Sequence, residues 1–210
     1  MHPPGPRGQI PAGRCPRCAF PVEAECLCPS IPRLEARVRI LVVRHASERP
    51  RLTNSGRWAA AALVGASVYD HALEETRSDA SLAAAIGEGP AWLLYPSGSG
   101  DRPPGPPPRT LVVPDATWSQ ARRMVQRLAP LQNLPRLALP PPPPATLRLR
   151  EPPRPGGMST LEAVAGALEL LGDAAAAKAL RRLHQVAVEK TLRLKGMWPP
   201  GREHPRAESS

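Results

Sequence analysis

The stretch TLVVPDATWSQARRMVQRL, residues 110–128, carries clear signals of a strand, a loop and a helix in direct succession. Its first four residues are a short β-branched apolar run, which is typical of a buried strand. The polar segment PDATW follows at once, and the basic stretch SQARRMVQRL is typical of a helix. Residues 110–128 therefore predict one strand that leads through a polar loop into a helix.

Similar apolar runs lie on the N-terminal side of this stretch. Residues 38–43 (VRILVV) predict a buried strand, and residues 91–95 (AWLLY) predict another. On the C-terminal side, residues 146–150 (TLRLR) alternate apolar and basic side chains as a strand does.

Helices are predicted between and after these strands. Residues 58–64 are rich in alanine, and residues 174–194 have alanine-rich and leucine-spaced faces. Ser159 and Glu162 match a capping box, which predicts a helix from about residue 160 to 171. Strands that alternate with helices predict an α/β fold with a mostly parallel sheet and flanking helices.

Polar residues follow each predicted strand at its carboxyl end. His45 and Glu48 follow the first strand, Ser97 follows the second, and residues 115–118 (DATW) follow the third. Ligands of parallel α/β sheets bind beyond this edge, so these residues predict a site there. Asp115, Glu48 and His45 are its candidate acid–base groups.

Each of these residues also has a purely structural interpretation. Asp115 could cap the helix that follows it, and Trp118 could be an ordinary packing residue. His45 and Glu48 could simply share a loop hydrogen bond. The residues alone leave these alternatives open.

All four cysteines lie within residues 15–28, with the spacing C-x2-C-x7-C-x-C: Cys15, Cys18, Cys26 and Cys28. Two close thiol pairs at the ends of a short loop can converge on one tetrahedral zinc ion. Disulfides, a redox dithiol or thiols without a ligand are the alternatives, but nothing in the sequence indicates secretion. Four thiolates leave no open coordination position, so the predicted zinc is structural.

The charge of the chain indicates a polyanionic partner. Lys and Arg number 28 against 18 Asp and Glu, which leaves a net charge of +10. Nucleic acid is the usual partner of so basic a soluble protein, although arginine also serves as a general solubiliser. The arginines at 122, 123, 148 and 150 are candidates for such a contact, or for an ordinary solvated face.

Other classes of protein find no support in the sequence. There is no G-x-G-x-x-G dinucleotide fingerprint, no P-loop, no G-x-S-x-G elbow and no HExxH zinc site. The first residues lack the apolar core of a signal peptide, and the apolar run of residues 58–68 is too short for a membrane span. We expect a cytoplasmic protein without a membrane role.

Five motifs in order connect these observations. The cluster CPRC…CLC is followed by HASE with TNSGR, then by YPSG, then by Asp115-Ala116-Thr117-Trp118, and last by RLRE with STLEA. In this order they resemble the DTW-domain family, named for its Asp-x-Thr-Trp signature, over residues 15 to 195. The family commonly has Gly where this chain has Ala116.

The resemblance implies a tRNA-uridine aminocarboxypropyltransferase. Such enzymes transfer the 3-amino-3-carboxypropyl group of S-adenosylmethionine to N3 of a uridine and release 5′-methylthioadenosine. The family is similar to the SPOUT RNA-modifying enzymes, which implies a SPOUT-like fold with a C-terminal trefoil knot, an exception to unknotted topology. A small N-terminal zinc knuckle completes the implied architecture.

The resemblance also implies roles for individual residues. Asp115 is the catalytic base expected to act on uridine N3. The residues expected to bind S-adenosylmethionine are Pro96, Ser97, Asp115, Thr117, Trp118, Ser159, Thr160 and Glu162. Those expected to bind tRNA are His45, Asn54, Arg57, Arg122, Arg123, Arg148 and Arg150.

The implied organisation has four parts: a disordered arm (1–12), the zinc knuckle (13–33), the DTW/SPOUT-like catalytic domain (34–196) and a tail (197–210). Three other functions stay open. They are a SPOUT-like RNA methyltransferase, a ribosomal-RNA aminocarboxypropyltransferase and a non-catalytic zinc-bearing RNA-binding protein.

Overall fold

A parallel sheet flanked by helices organises the chain. The structure, a computed structural model, describes residues 9–22, 26–71, 79–96, 103, 105–141, 148–149 and 157–199. Within these ranges the strands are Arg39–His45 (β1), Ser67–His71 (β2), Ala91–Leu94 (β3), Thr110–Asp115 (β4) and Arg136–Leu137 (β5). The α-helices are Ser55–Ala62 (α1), Asp79–Ile86 (α2), Trp118–Arg127 (α3), Ala129–Gln132 (α4), Thr160–Leu170 (α5) and Ala174–Leu194 (α6). The predicted α/β class is confirmed.

The apolar runs are strands, as the sequence predicts, and two of them extend into the polar residues that follow. β4 continues to Asp115 because it pairs with β1 up to the register Arg44↔Asp115, and β1 continues to His45 because that residue pairs with His71 of β2. The predicted helices are confirmed as α1, α3, α5 and α6, with Ser159 and Glu162 forming the expected capping box.

Two of these strands, β2 and β5, and two of these α-helices, α2 and α4, were not predicted. β2 is an edge strand with polar ends (SVYDH), and β5 has only two residues, so neither forms an apolar run. The predicted strand at 146–150 is wrong at Arg148 and Leu149, which lie outside any strand. Its other three residues are outside the described part of the chain.

Both faces of the sheet are covered, which explains the continuous apolar character of the inner strands. Along β1, Ile40 and Val42 belong to a core shared with α1, α5 and α6. Leu41 and Val43 belong to the opposite core, to which α2, α3 and α4 contribute. The two layers of helices therefore hold the sheet in place, with the polar residues at the carboxyl ends of its strands.

The strand order is β2-β1-β4-β3-β5, with every pair parallel. From β1 the chain proceeds to β2 on one side of the sheet, whereas from β4 it proceeds past β3 to β5 on the other. The connections thus diverge at the carboxyl ends of β1 and β4. Such a switch point forms the crevice in which α/β proteins bind ligands.

The cysteine segment packs against α1. Cys18, Phe20 and Leu27 are fully buried in the same core as Trp58. Trp58 Nε1 donates a hydrogen bond of 2.9 Å to the carbonyl of Cys18, and its ring lies 5.7 Å from that of Phe20. The segment therefore shares a core with one face of the sheet, while the boundary expected between residues 33 and 34 stays a prediction.

Some expectations fall on other parts of the chain. Residues 1–8 of the arm and 200–210 of the tail lie outside the described residues. So do residues 142–147 and 150–156, which connect β5 to α5, and the trefoil knot stays a prediction. Among the residues described, no helix is both long and apolar enough to cross a membrane.

Candidate active site

Asp115, the last residue of β4, lies at the crevice between β1 and β4. Only 4% of its surface is exposed. Thr160 Oγ1, at the start of α5, donates a hydrogen bond of 2.7 Å to Asp115 Oδ1. Asn54 Nδ2, just before α1, donates to Asp115 Oδ2. Three segments distant in sequence thus meet at one carboxylate.

A glycine lets the first turn of α1 lie directly against this carboxylate. A Cβ atom on Gly56 would lie 2.7 Å from both Cγ and Oδ2 of Asp115, which is closer than such atoms can pack. Since α1 begins at Ser55 and Gly56 is close to Asp115, the positive end of the helix dipole lies near this carboxylate. The glycine of the TNSGR motif therefore has a steric explanation.

The surroundings of Asp115 act on its basicity in opposite directions. Burial raises the pKa of Asp115 above its ordinary value, and the negative charge of Glu48 adds to this. The hydrogen bonds from Thr160 and Asn54 lower the pKa, but the net direction is upward. A carboxylate with a raised pKa is a stronger base, so this group is suited to taking a proton from a weakly acidic N–H.

Two cavities meet beside Asp115. The first, of about 460 Å³, is mainly apolar, and Leu94, Tyr95 and Leu137 contribute to its walls. The second, of about 280 Å³, is more polar than the first and includes Asp115 itself, and we call it the polar cavity. Both cavities are lined by Ala116, Trp118, Gly157, Met158 and Thr160. A ligand with an apolar ring system at one end and charged groups at the other would fit across the two.

The polar cavity carries charges of both signs. Arg148, Glu48 and Glu162 all line it. Glu48 is 1% exposed and its Oε1 lies 3.1 Å from Nε of Arg51, while Glu162 Oε2 accepts a 2.7 Å bond from the backbone N–H of Ser159. One guanidinium and two carboxylates in the same cavity suit a zwitterionic group such as an amino acid.

His184 lies behind Glu162. Its Nε2 is 3.5 Å from Glu162 Oε2, and 9% of the residue is exposed. Burial lowers the pKa of His184, although the charge of Glu162 acts in the opposite direction. His184 is therefore neutral near pH 7 and leaves the negative charge of Glu162 available to a cationic ligand.

The DATW loop is linked to the loop after β1 by a hydrogen-bond relay. Thr117 Oγ1 donates to Gln120 Oε1 at 2.8 Å, and Gln120 Nε2 donates to Ser47 Oγ at 3.1 Å. Ser47 Oγ lies 2.8 Å from His45 Nδ1. Trp118 is 42% exposed at the junction of the two cavities, so it is not a core residue.

The residues expected to bind S-adenosylmethionine are gathered here, with one exception. Pro96 lines the apolar cavity, Thr117, Ser159 and Glu162 line the polar one, and Trp118 and Thr160 line both. Ser97 lies outside the described residues. Their ligand stays a prediction.

The residues expected to bind RNA are more dispersed. Arg122 and Arg123 are exposed on α3, His45 is half-buried, and Arg148 lines the polar cavity, whereas Arg150 lies outside the described residues. Asn54 and Arg57 are 1% and 6% exposed, so neither offers a surface for contact with RNA in this structure.

The burial of Arg57 has a structural explanation. Its Nη2 donates to the carbonyl of Arg49, and its Nη1 donates to the carbonyl of Pro16 at 3.5 Å. Burial lowers the pKa of Arg57 to about 10. The side chain thus links the cysteine segment to the loop before α1, where we expected a contact with RNA.

The four cysteine sulfurs form a cluster that could hold a metal ion. Their Sγ atoms all lie within 4.8 Å of one another. Cys15 and Cys28 are 3.5 Å apart at Sγ and Cys18 and Cys26 3.6 Å, too far for disulfide bonds. Zn–S bonds of about 2.3 Å in a tetrahedron place sulfurs about 3.8 Å apart, so the donor set fits zinc.

Sequence reasoning missed two kinds of residue at this site. Arg44 contacts Asn54 and Asp70 pairs with Arg44, but an arginine inside an apolar strand and an aspartate in an unpredicted strand carry no local signal. Met158 borders both cavities, and the Gly-Gly pair before it was the sequence signal that could have drawn attention to it.

The family comparison agrees with this geometry. A family model described as the DTW domain matches residues 12–192 of the chain, which confirms the resemblance inferred from the five motifs. The matched region includes the cysteine cluster, the sheet and the residues around Asp115. No solved structure matches the chain.

Proposed function

The chain belongs to the DTW-domain family, which is linked to tRNA-modifying enzymes, and on this basis we propose that it is a tRNA-uridine aminocarboxypropyltransferase. It would transfer the 3-amino-3-carboxypropyl group of S-adenosylmethionine to N3 of a uridine in tRNA and release 5′-methylthioadenosine. The observation that carries the proposal is the buried Asp115 carboxylate at the meeting point of an apolar and a charged cavity.

The two cavities match the two ends of S-adenosylmethionine. The apolar cavity, with Trp118 at its border, suits the adenosine. The polar cavity suits the amino-acid end, with Arg148 for the carboxylate and Glu48 or Glu162 for the ammonium group. Bound in this direction, the substrate would present its aminocarboxypropyl chain, and not its methyl group, to Asp115.

Asp115 would then act as the general base. Its carboxylate accepts the proton of uridine N3–H while N3 forms a bond to the terminal carbon of the aminocarboxypropyl chain. The bond between that carbon and sulfur breaks, and its electron pair stays on the sulfur. The products are the N3-substituted uridine, 5′-methylthioadenosine and protonated Asp115, so the atoms and charges balance.

The basic surface beside the site suits an RNA substrate. Arg122 and Arg123 are exposed on the helix that begins at Trp118, and the whole chain carries a net charge of +10. A uridine that reaches Asp115 must leave its base stack, as enzymes that modify single bases require. For the four cysteines we propose a structural zinc ion that stabilises the segment packed on α1.

The test is the incubation of purified protein with unmodified tRNA and S-adenosylmethionine, followed by mass spectrometry of the nucleosides. We expect uridine to gain the mass of an aminocarboxypropyl group and 5′-methylthioadenosine to appear. Asp115→Asn, which keeps the size of the side chain, should lower the rate about 10²- to 10⁴-fold.

Other results would identify the rival functions. A gain of one methyl group with release of S-adenosylhomocysteine would indicate a methyltransferase. Modification of ribosomal RNA alone would change the substrate, and tight RNA binding without any mass gain would indicate a binding protein. Full activity of Asp115→Asn would exclude Asp115 as the base.

A further inference from the structure

A row of four polar side chains runs from β2 to Asp115. Arg44 on β1 is 6% exposed, and its Nε and Nη2 donate to Oδ1 and Oδ2 of Asp70 at 2.6 and 3.0 Å. Arg44 Nη1 donates to Asn54 Oδ1 at 3.3 Å. Asn54 Nδ2 in turn donates to Asp115 Oδ2. The row thus links an edge strand to the carboxylate at the crevice.

The direction of each hydrogen bond follows from the chemistry of the groups. A guanidinium can only donate, so the Asn54 atom that faces Arg44 must be the carbonyl oxygen. The amide nitrogen must then face Asp115, which as a carboxylate can only accept. The reverse orientation would set a donor against a donor and an acceptor against an acceptor.

The bidentate pair with Asp70 makes this arrangement rigid. Two parallel N–H···O bonds fix the plane of the Arg44 guanidinium and direct its remaining Nη1 toward Asn54. A lysine could supply the same charge, but it has no planar fork to hold both partners.

We propose that Asp70 and Arg44 are positioning residues for the reaction, which orient the Asn54 amide so that it donates to the Asp115 carboxylate. The inference rests on the proposed function, because it assigns these residues to the base of that reaction. It also explains why Asn54 is buried at this site, where a contact with RNA was expected.

The consequence for chemistry concerns how readily the buried Asp115 ionises. Burial raises the pKa of Asp115, and the bonds from Thr160 and Asn54 oppose it. The bond from Asn54 stabilises the charged form of Asp115, so its loss raises the pKa further. A base acts only when it is ionised, and the acid limb of the pH–rate profile must then move to higher pH.

The test compares Asn54→Ala, Arg44→Lys and Asp70→Asn in the full-length protein. The pKa of Asp115 is measured by NMR with ¹³C-carboxyl-labelled aspartate, with the Asp115→Asn spectrum to assign the signal. In Asn54→Ala we expect the pKa and the acid limb to rise by about one pH unit, the effect of one charge-assisted hydrogen bond. Activity should fall about tenfold below the midpoint and recover at high pH. Arg44→Lys and Asp70→Asn should shift in the same direction by less.

Two matched controls isolate the network. Asn133→Ala removes the other asparagine of the chain, which is exposed, and Glu169→Gln weakens the exposed ion pair with Arg181. Neither should move the titration of Asp115. Asp70→Asn, which keeps size and is only partly buried, provides the test if a variant at a deeper position fails to fold.

The outcomes separate this proposal from the function on which it rests. If the three variants leave the Asp115 titration unchanged, or lower the rate equally at every pH, the positioning role is overturned. If the wild-type protein produces no aminocarboxypropyl-uridine, the proposed function fails, while the NMR titration still shows whether Asp70 and Arg44 control the Asn54–Asp115 contact.

Discussion

The cysteine segment and the site around Asp115 both gather polar or thiol side chains that are at least partly buried, but they are assembled differently. The four cysteines lie within residues 15–28, and their sulfurs converge within 4.8 Å. The contacts of Asp115 come from Asn54, 61 positions away, and Thr160, 45 positions away. The first site is local in sequence, whereas the second needs the whole sheet to exist.

Helix α1 joins the two regions. Trp58, in the middle of α1, bonds to the carbonyl of Cys18, and Gly56, in its first turn, lies against Asp115. The local site therefore supports the helix on which the non-local site depends. Variants in each region test how strongly one region stabilises the other.

Removal of the proposed metal should have the largest effect. A structural zinc ion contributes directly to folding, so we expect a strong chelator to cost about 4 kcal/mol of stability and to lower the Tm by about 10 °C. Calorimetry with and without chelator, together with metal analysis, is the measurement. Cys26→Ser should behave like the chelated protein. An unchanged Tm in a protein purified without metal would contradict the zinc assignment.

Gly56→Ala should disturb the Asp115 site while leaving the cysteine segment intact. The added Cβ would lie 2.7 Å from the Asp115 carboxylate, so we expect a stability loss of about 1–3 kcal/mol with a clear loss of transfer activity. Gly166→Ala is the control, because its Cβ meets only the end of the flexible Leu139 side chain at 3.3 Å. The metal content should be normal in both variants. Full transfer activity of Gly56→Ala would contradict the prediction, because it would show that α1 can move away from Asp115.

Asp115→Asn should lower the activity without lowering the stability. Because burial raises the pKa of Asp115 in the folded protein, the folded state binds more protons than the unfolded state between the two pKa values. Wild-type stability should therefore fall as pH rises through that interval, and the variant should lack this fall. At pH 7 we expect Asp115→Asn to be more stable than the wild type, measured by urea unfolding at several pH values. Parallel pH curves for the two proteins would argue against a raised pKa.

Trp58→Phe tests the link between the two regions itself. The change removes the hydrogen bond to Cys18 and some buried volume, so we expect a loss of about 1–2 kcal/mol. Zinc affinity, measured by competition with a chelator, should fall in Trp58→Phe. It should not fall in Trp92→Phe, which alters a buried tryptophan on β3 outside the cysteine segment. Equal zinc affinities in Trp58→Phe and the wild-type protein would mean that the two regions are independent.

Much of the fold could be predicted because its signals are local. The runs VRILVV, AWLLY and TLVV bury side chains on both faces and so stand out as strands, and Ser159 with Glu162 marks a helix start within four residues. β2 and β5 could not be predicted in this way, since they become strands only by pairing with β1 and β3. Pairing between distant segments produces little recognisable pattern in the sequence of either segment alone.

The same distinction applies to the site. From its residues alone, the sequence indicated a four-cysteine cluster, a row of parallel strands and a polar group at the end of each, because spacing and apolar runs are properties of neighbouring residues. The folded structure was needed to reveal that Asn54 faces Asp115, that Arg57 is buried under the cysteine segment, and that Arg44 and Asp70 stand behind the site. These contacts depend on which strands are adjacent and how closely a helix approaches, and such distances are set by the packing of the whole molecule.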